Sequence, residues 1–149
     1  PYMGLDSIEP FMTYDNKWAI VLALTSNRGS EDIELVTLQT GEKVFEHVLN
    51  LYSRAYSPEK MMFVCGATQP KYFQIIRNIC PNHFLLVPGI GTQGGDLKNT
   101  IQSGMNKMGG LLINISRDIL YGPGDQDPRK YTTEKAKYFQ HTMFELLQL

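Results

Sequence analysis

Three short stretches carry groups suited to holding an anionic small molecule. The first is Gly89–Gly95, directly after Pro88, with four glycines in seven residues. Glycine lets the backbone turn tightly and lets a ligand approach its N–H groups. Gln93, a single amide in that loop, both donates and accepts. The second is Ser116-Arg117, which follows an apolar run. A planar guanidinium binds phosphate through two parallel hydrogen bonds. The third is Ser26, a hydroxyl in the polar stretch Thr25–Ser30. Read singly, each has an ordinary explanation: a flexible connection, a surface arginine in an ion pair, a turn serine.

No catalytic set accompanies them. His47 and His141 lie inside helical patterns, and His83 begins a strand. None has metal-ligand spacing, and Cys65 and Cys80 do not supplement them. The acidic residues form no tight pair for acid–base work. Taken alone, the residues offer binding loops without a catalytic group.

The elements that must position these loops alternate. Four apolar runs read as strands: Trp18–Leu24, Met61–Cys65, Phe84–Val87 and Leu111–Ile115. Uninterrupted runs of this kind fit strands buried on both faces of a parallel sheet. Pro88 stops the third, because proline has no N–H for a ladder. Helical stripes intervene. Val44, Phe45, Val48, Leu49 and Tyr52 share one face, and Tyr72, Phe73, Ile75, Ile76 and Ile79 share another within Pro70–Cys80. Thr68 is the expected N-cap of that second helix. Asp96 is the expected cap of a helix from Leu97 to about Met105, and Thr132 of a last helix stapled by Tyr131. Near the start, Asp6 or Ser7 caps a short helix with Ile8, Phe11 and Met12 on one side, after a strand end at Pro1–Gly4. Glu31–Thr40 is ambiguous.

This alternation implies a parallel sheet. Right-handed crossovers put the loops Thr25–Ser30, Gly66–Thr68, Pro88–Gly95 and Ser116–Tyr121 on one side of it. Four such units make about half of an eightfold barrel, whose usual size is roughly 250 residues. A small doubly wound sheet is the alternative.

The 149 residues suffice for a single domain over 1–149. A net charge of −1 without a basic run argues against nucleic-acid binding. No apolar segment reaches the roughly 20 residues that span a bilayer, and no signal peptide is visible. The two cysteines, outside CxxC spacing, read as reduced core thiols of a cytosolic protein. The chain begins at Pro1 on what reads as the end of an element, so a longer parent chain is expected.

The segments PYMGLDSIEPF at 1–11, ALTSNRGS at 23–30, VCGAT at 64–68, LVPGIGTQGGD at 86–96 and INISRDILY at 113–121 together resemble the orotidine 5′-phosphate decarboxylase family. The resemblance is to its bacterial subgroup with a PGxGxQGG loop. It implies the C-terminal half of a (β/α)8 TIM barrel, about four parallel βα units. The family converts orotidine monophosphate to uridine monophosphate as a dimer, without metal or organic cofactor. Its catalytic Lys-Asp-Lys-Asp array belongs to a region preceding PYMG, so the resemblance assigns no catalytic residue here. It assigns Ser26 to the pyrimidine, Pro88, Gln93 and Gly94 to the loop linking base and phosphate, and Ser116 and Arg117 to the phosphate segment. Asp118 departs from the family pattern, which has Gly or Ala after the arginine. The implied partners are the nucleotide substrate, an N-terminal half-barrel and a second subunit. Two other readings compete: a non-catalytic phosphate-binding half-barrel, and a phosphosugar enzyme such as a hexulose-phosphate synthase.

Overall fold

The computed structural model describes residues 1–91 and 95–147. Four strands, β1 (Ala19–Leu24), β2 (Met61–Cys65), β3 (Phe84–Val87) and β4 (Leu111–Ile113), form one sheet in the order β1-β2-β3-β4. Every pairing is parallel. The helices are α1 (Glu9–Met12), α2 (Val44–Ala55), α3 (Pro70–Ile79), α4 (Leu97–Gly104), α5 (Arg117–Leu120) and α6 (Pro128–Leu146). The sequential strand order and parallel sense are those of a barrel wall, and the alternation read from the apolar runs is present.

The register separates two faces. Val21, Phe63 and Leu85 lie in one row and are buried. They pack with Phe45, Leu49 and Tyr52 of α2 and Phe73 and Ile76 of α3 in the main core. Leu22, Val64, Leu86 and Leu112 form the row on the opposite face. There Ile20 is 45% exposed, Leu22 37% and Leu112 49%. The expectation of strands buried on both faces is therefore corrected: among the described residues the helices pack on one side of the sheet, and the other side, though Met62 is buried there, is only partly covered. In a closed barrel that other side is the packed interior.

Several boundaries differ from the sequence reading. Trp18 lies outside β1, and its indole N–H donates to the Pro58 carbonyl. Pro1–Gly4 forms a turn and not a strand end. Leu5–Ser7 is a single 3-10 turn, and the Ser7 hydroxyl donates back to the Gly4 carbonyl at 2.7 Å instead of capping α1. Thr68 caps nothing. Its hydroxyl donates to the Ser26 carbonyl, and Gln69 occupies the N-cap position of α3. The cap of α6 is Asp127, with Pro128 in the first turn, so Thr132 falls inside the helix. Asp96 does cap α4, accepting from the Asn99 N–H at 3.1 Å.

The end of the sheet remote from the candidate loops is fastened by Arg77. Its guanidinium donates to the carbonyls of Cys80, His83, Gly104 and Gly110, joining the ends of α3 and α4 to the starts of β3 and β4. Four carbonyls replace the water such a cation loses on partial burial. Cys65 and Cys80 are buried free thiols. Burial pushes both upward, Cys80 to about 11, so neither is a thiolate near neutrality.

His83 is buried against Phe63, and a ring nitrogen lies 3.1 Å from the Tyr56 carbonyl. Burial holds its imidazole below the ordinary 6.5, outweighing that hydrogen bond. The unfolded chain therefore takes up the proton more readily than the folded one. Stability linked to His83 is complete above about pH 6.5 and is lost as pH falls toward the folded-state value. In thermal melts, His83→Gln should flatten the fall in Tm between pH 6.5 and 5. Parallel curves for both proteins would show that His83 does not carry this dependence.

Candidate functional site

The loops after β1, β2 and β3 meet at one atom. The Pro88 carbonyl accepts the Ser26 hydroxyl at 3.0 Å and the Ala67 N–H at 2.9 Å. Pro88 is the first residue past β3, and its carbonyl faces the loops that follow β1 and β2. Two further bonds tighten the arrangement. The Gly66 N–H donates to the Leu24 carbonyl at 2.8 Å, and the Thr68 hydroxyl to the Ser26 carbonyl at 2.9 Å. A β-carbon at Gly66 would lie 2.5 Å from both the backbone nitrogen and the hydroxyl of Ser26. Glycine is required there by close approach.

Glu34 fixes the same loop from behind. Its carboxylate is buried and accepts from the Thr25 N–H at 2.7 Å and from the Thr25 hydroxyl at 3.0 Å. This anchor precedes Ser26 by one residue. It lay inside the stretch Glu31–Thr40 that the sequence left ambiguous, and only the pairing across nine residues reveals it.

Beyond Pro88, Gly89 has φ +98° and Gly91 φ +82°, backbone that other residues rarely adopt. The loop closes on itself through the Gly95 N–H, which donates to the Gly89 carbonyl at 3.0 Å. Gln93 and Gly94, assigned to the ligand by the resemblance, lie outside the described residues.

The fourth segment reaches this loop from the β4 side. β4 ends at Ile113, two residues earlier than its apolar run, though the Asn114 N–H still donates to the Val87 carbonyl. Ser116 is the N-cap residue of α5, and its hydroxyl donates to the Asn114 side chain at 3.0 Å. Arg117 is exposed and, among the described residues, its guanidinium has no hydrogen-bond or ion-pair partner. Asp118 packs on the glycine loop: a β-carbon at Gly91 would lie 3.0 Å from the Asp118 side chain. Ser26 and Pro88 are thus in direct contact, and Ser116-Arg117 stands beside the same loop. No group of three or more His, Cys, Asp or Glu suited to a metal occurs among the described residues.

This geometry offers a hydroxyl, a glycine loop and an uncommitted cation on the C-terminal side of a parallel sheet, where barrel enzymes bind phosphorylated substrates. Residues 1–130 match the model of the Orotidine 5'-phosphate decarboxylase / HUMPS family. The chain belongs to that family. It is 48% identical over 148 residues to the orotidine 5'-phosphate decarboxylase of Bacteroides fragilis, covering 99% of this chain and 54% of that relative. It is 46% identical over 147 residues to that of Phocaeicola vulgatus, with the same two coverages. The chain thus spans about half the length of the curated relatives it matches. Among solved structures it is similar to Leishmania donovani OMP decarboxylase, with TM-score 0.72 and 35% identity over 90% of this chain and 51% of that one. Similarity to the Plasmodium berghei orotidine 5'-monophosphate decarboxylase structure, at 22% identity, concerns the fold: TM-score 0.80 over 99% of this chain and 46% of that one. The half-barrel expected from the sequence is the fold observed.

Gly66→Ala should force the Ser26 loop away from the Pro88 carbonyl, because backbone atoms cannot yield as a flexible side chain does. Overpacking of this kind costs about 1–3 kcal/mol. Chemical denaturation should show that loss, whereas Gly41→Ala, which meets no neighbouring atom but has φ +88°, should show only backbone strain. Unchanged stability for Gly66→Ala would contradict the contact.

Proposed function

We propose that this chain supplies the pyrimidine- and phosphate-binding half of an orotidine 5′-phosphate decarboxylase, converting orotidine monophosphate to uridine monophosphate and CO2 in de novo pyrimidine biosynthesis. The observation that carries the reading is the convergence of the Ser26, Pro88 and Ser116-Arg117 segments on one loop, in a chain whose relatives bear that enzyme's name. The TSN and PGxGxQGG segments favour it over a hexulose-phosphate synthase.

In this reading the Ser26 hydroxyl points its hydrogen at Pro88 and offers its lone pairs to the pyrimidine ring N–H. Gln93 spans from the base toward the phosphate, and Gly94 lets the ligand approach the backbone. Arg117, with Ser116 beside it, takes the phosphate. The phosphate is remote from the bond that breaks. Its binding energy still serves the reacting centre through orientation and loop closure. Loss of CO2 leaves an electron pair on the ring. A lysine of the Lys-Asp array, in a complementary half-barrel, stabilises that charge electrostatically. The exposed apolar face of the sheet, with Ile20, Leu22 and Leu112, supports pairing with such a half. The complete enzyme would be a cytoplasmic homodimer working without metal or organic cofactor, and without nucleic-acid or membrane partners.

The test is Arg117→Ala in the complete enzyme. Turnover of orotidine monophosphate should lose about 2–5 kcal/mol in kcat/KM, as when one partner of a charge-assisted pair is removed. Orotidine, which lacks the phosphate, should be turned over almost as before. Equal losses for the two substrates would show that Arg117 is not the phosphate ligand.

A further inference from the structure

Asp118 places a carboxylate next in sequence to Arg117, where it would compete with an anion for the guanidinium. The structure shows how that carboxylate is held. Lys135 of α6 lies 3.4 Å from an Asp118 oxygen. The Lys135 ammonium is itself seated 5.7 Å from the Tyr138 ring centroid and 5.8 Å from that of Phe139. Asp118 has little freedom to turn elsewhere. Its side chain packs at Gly91, and its carbonyl accepts the Tyr131 hydroxyl at 3.1 Å. Two residues of the last helix, Tyr131 and Lys135, thus hold one residue of the segment that carries Arg117.

We propose that Lys135 is a positioning residue for the phosphate subsite, pairing with Asp118 so that this carboxylate neither engages Arg117 nor repels the bound anion. The inference rests on the assignment of Arg117 to phosphate. Lys135 does not touch the ligand. It acts by neutralising Asp118 and by fixing α5 against the glycine loop. The partly buried pair is screened less than a surface pair, so its loss is felt nearby.

The experiment compares Lys135→Met, Lys135→Arg, Asp118→Asn and the double variant Asp118→Asn/Lys135→Met in the complete enzyme. Calorimetric affinity for uridine monophosphate and for uridine is the readout, and melting temperature checks folding. Lys135→Met keeps an aliphatic stem on the aromatic rings. It should weaken uridine monophosphate roughly tenfold, the size expected of an unpaired charge at a partly screened distance, and leave uridine unchanged. Lys135→Arg should retain affinity, and the double variant should recover it. Undiminished affinity in Lys135→Met, equal loss for both ligands, or a loss that Asp118→Asn does not restore would each overturn the proposal. Arg117→Ala is run in parallel. If it weakens uridine monophosphate selectively while Lys135→Met does not, only the role of Lys135 falls. If Arg117→Ala has no selective effect, the phosphate assignment falls and this proposal with it.

Discussion

The candidate site depends on the carbonyl of Pro88. A proline ends β3 because it lacks the donor a central strand needs. Its carbonyl, one residue past the end of β3, accepts from the loops after β1 and β2. Two lone pairs on one oxygen thereby fix Ser26 and Ala67 with respect to the start of the glycine loop. Gly66 has no side chain because Ser26 occupies that space, and Glu34 locks Thr25 from the other side. Neutral hydrogen bonds of this kind contribute only about 0.5–1.5 kcal/mol each in net terms. Their importance lies in geometry: they set three loops at fixed spacing before any ligand arrives, which reduces the ordering cost of binding.

The second constraint is the unequal cover of the sheet. Its helix side is a continuous core from Val21 through Phe63 to Leu85, closed by α2 and α3. Its other side keeps apolar residues partly in water. A parallel wall with one partly covered apolar face is the geometry of a barrel lacking its opposite wall, and the chain spans about half of the relatives it matches. This is the physical ground for proposing a complementary half-barrel. The described loops at the strand ends carry hydroxyls, backbone groups and two exposed arginines, Arg28 and Arg117.

Much of this was legible in the sequence. MMFVC and FLLV became β2 and β3 with the expected bounds, because each is an apolar run cut sharply by Gly or Pro. The buried stripe of α2 falls on Phe45, Val48, Leu49 and Tyr52 as its spacing requires. What was not legible depends on distant partners. Thr68 looks like a cap locally, yet its hydroxyl is taken by Ser26, 42 residues earlier in the chain. The role of Glu34 depends on folding back to Thr25, which no local pattern announces. α6 began earlier than Thr132 because Asp127-Pro128 is itself a cap and first-turn pair, hidden in a loop rich in Gly, Pro and Asp. The apolar runs could not show that one face stays only partly covered, since periodicity reports composition along a strand and not what covers it. Of the residues assigned to the ligand, Ser26 and Pro88 are joined and Ser116-Arg117 is placed beside their loop.

The central claim is that this chain is the binding half of a decarboxylase whose reacting groups lie on a complementary wall. The direct measurement is CO2 release from orotidine monophosphate by this chain alone, by a half-barrel bearing the Lys-Asp array alone, and by the two refolded together. The account predicts no turnover from either half and measurable turnover from the assembled pair. Decarboxylation by this chain alone would contradict it. So would a folded one-to-one assembly that binds uridine monophosphate but releases no CO2.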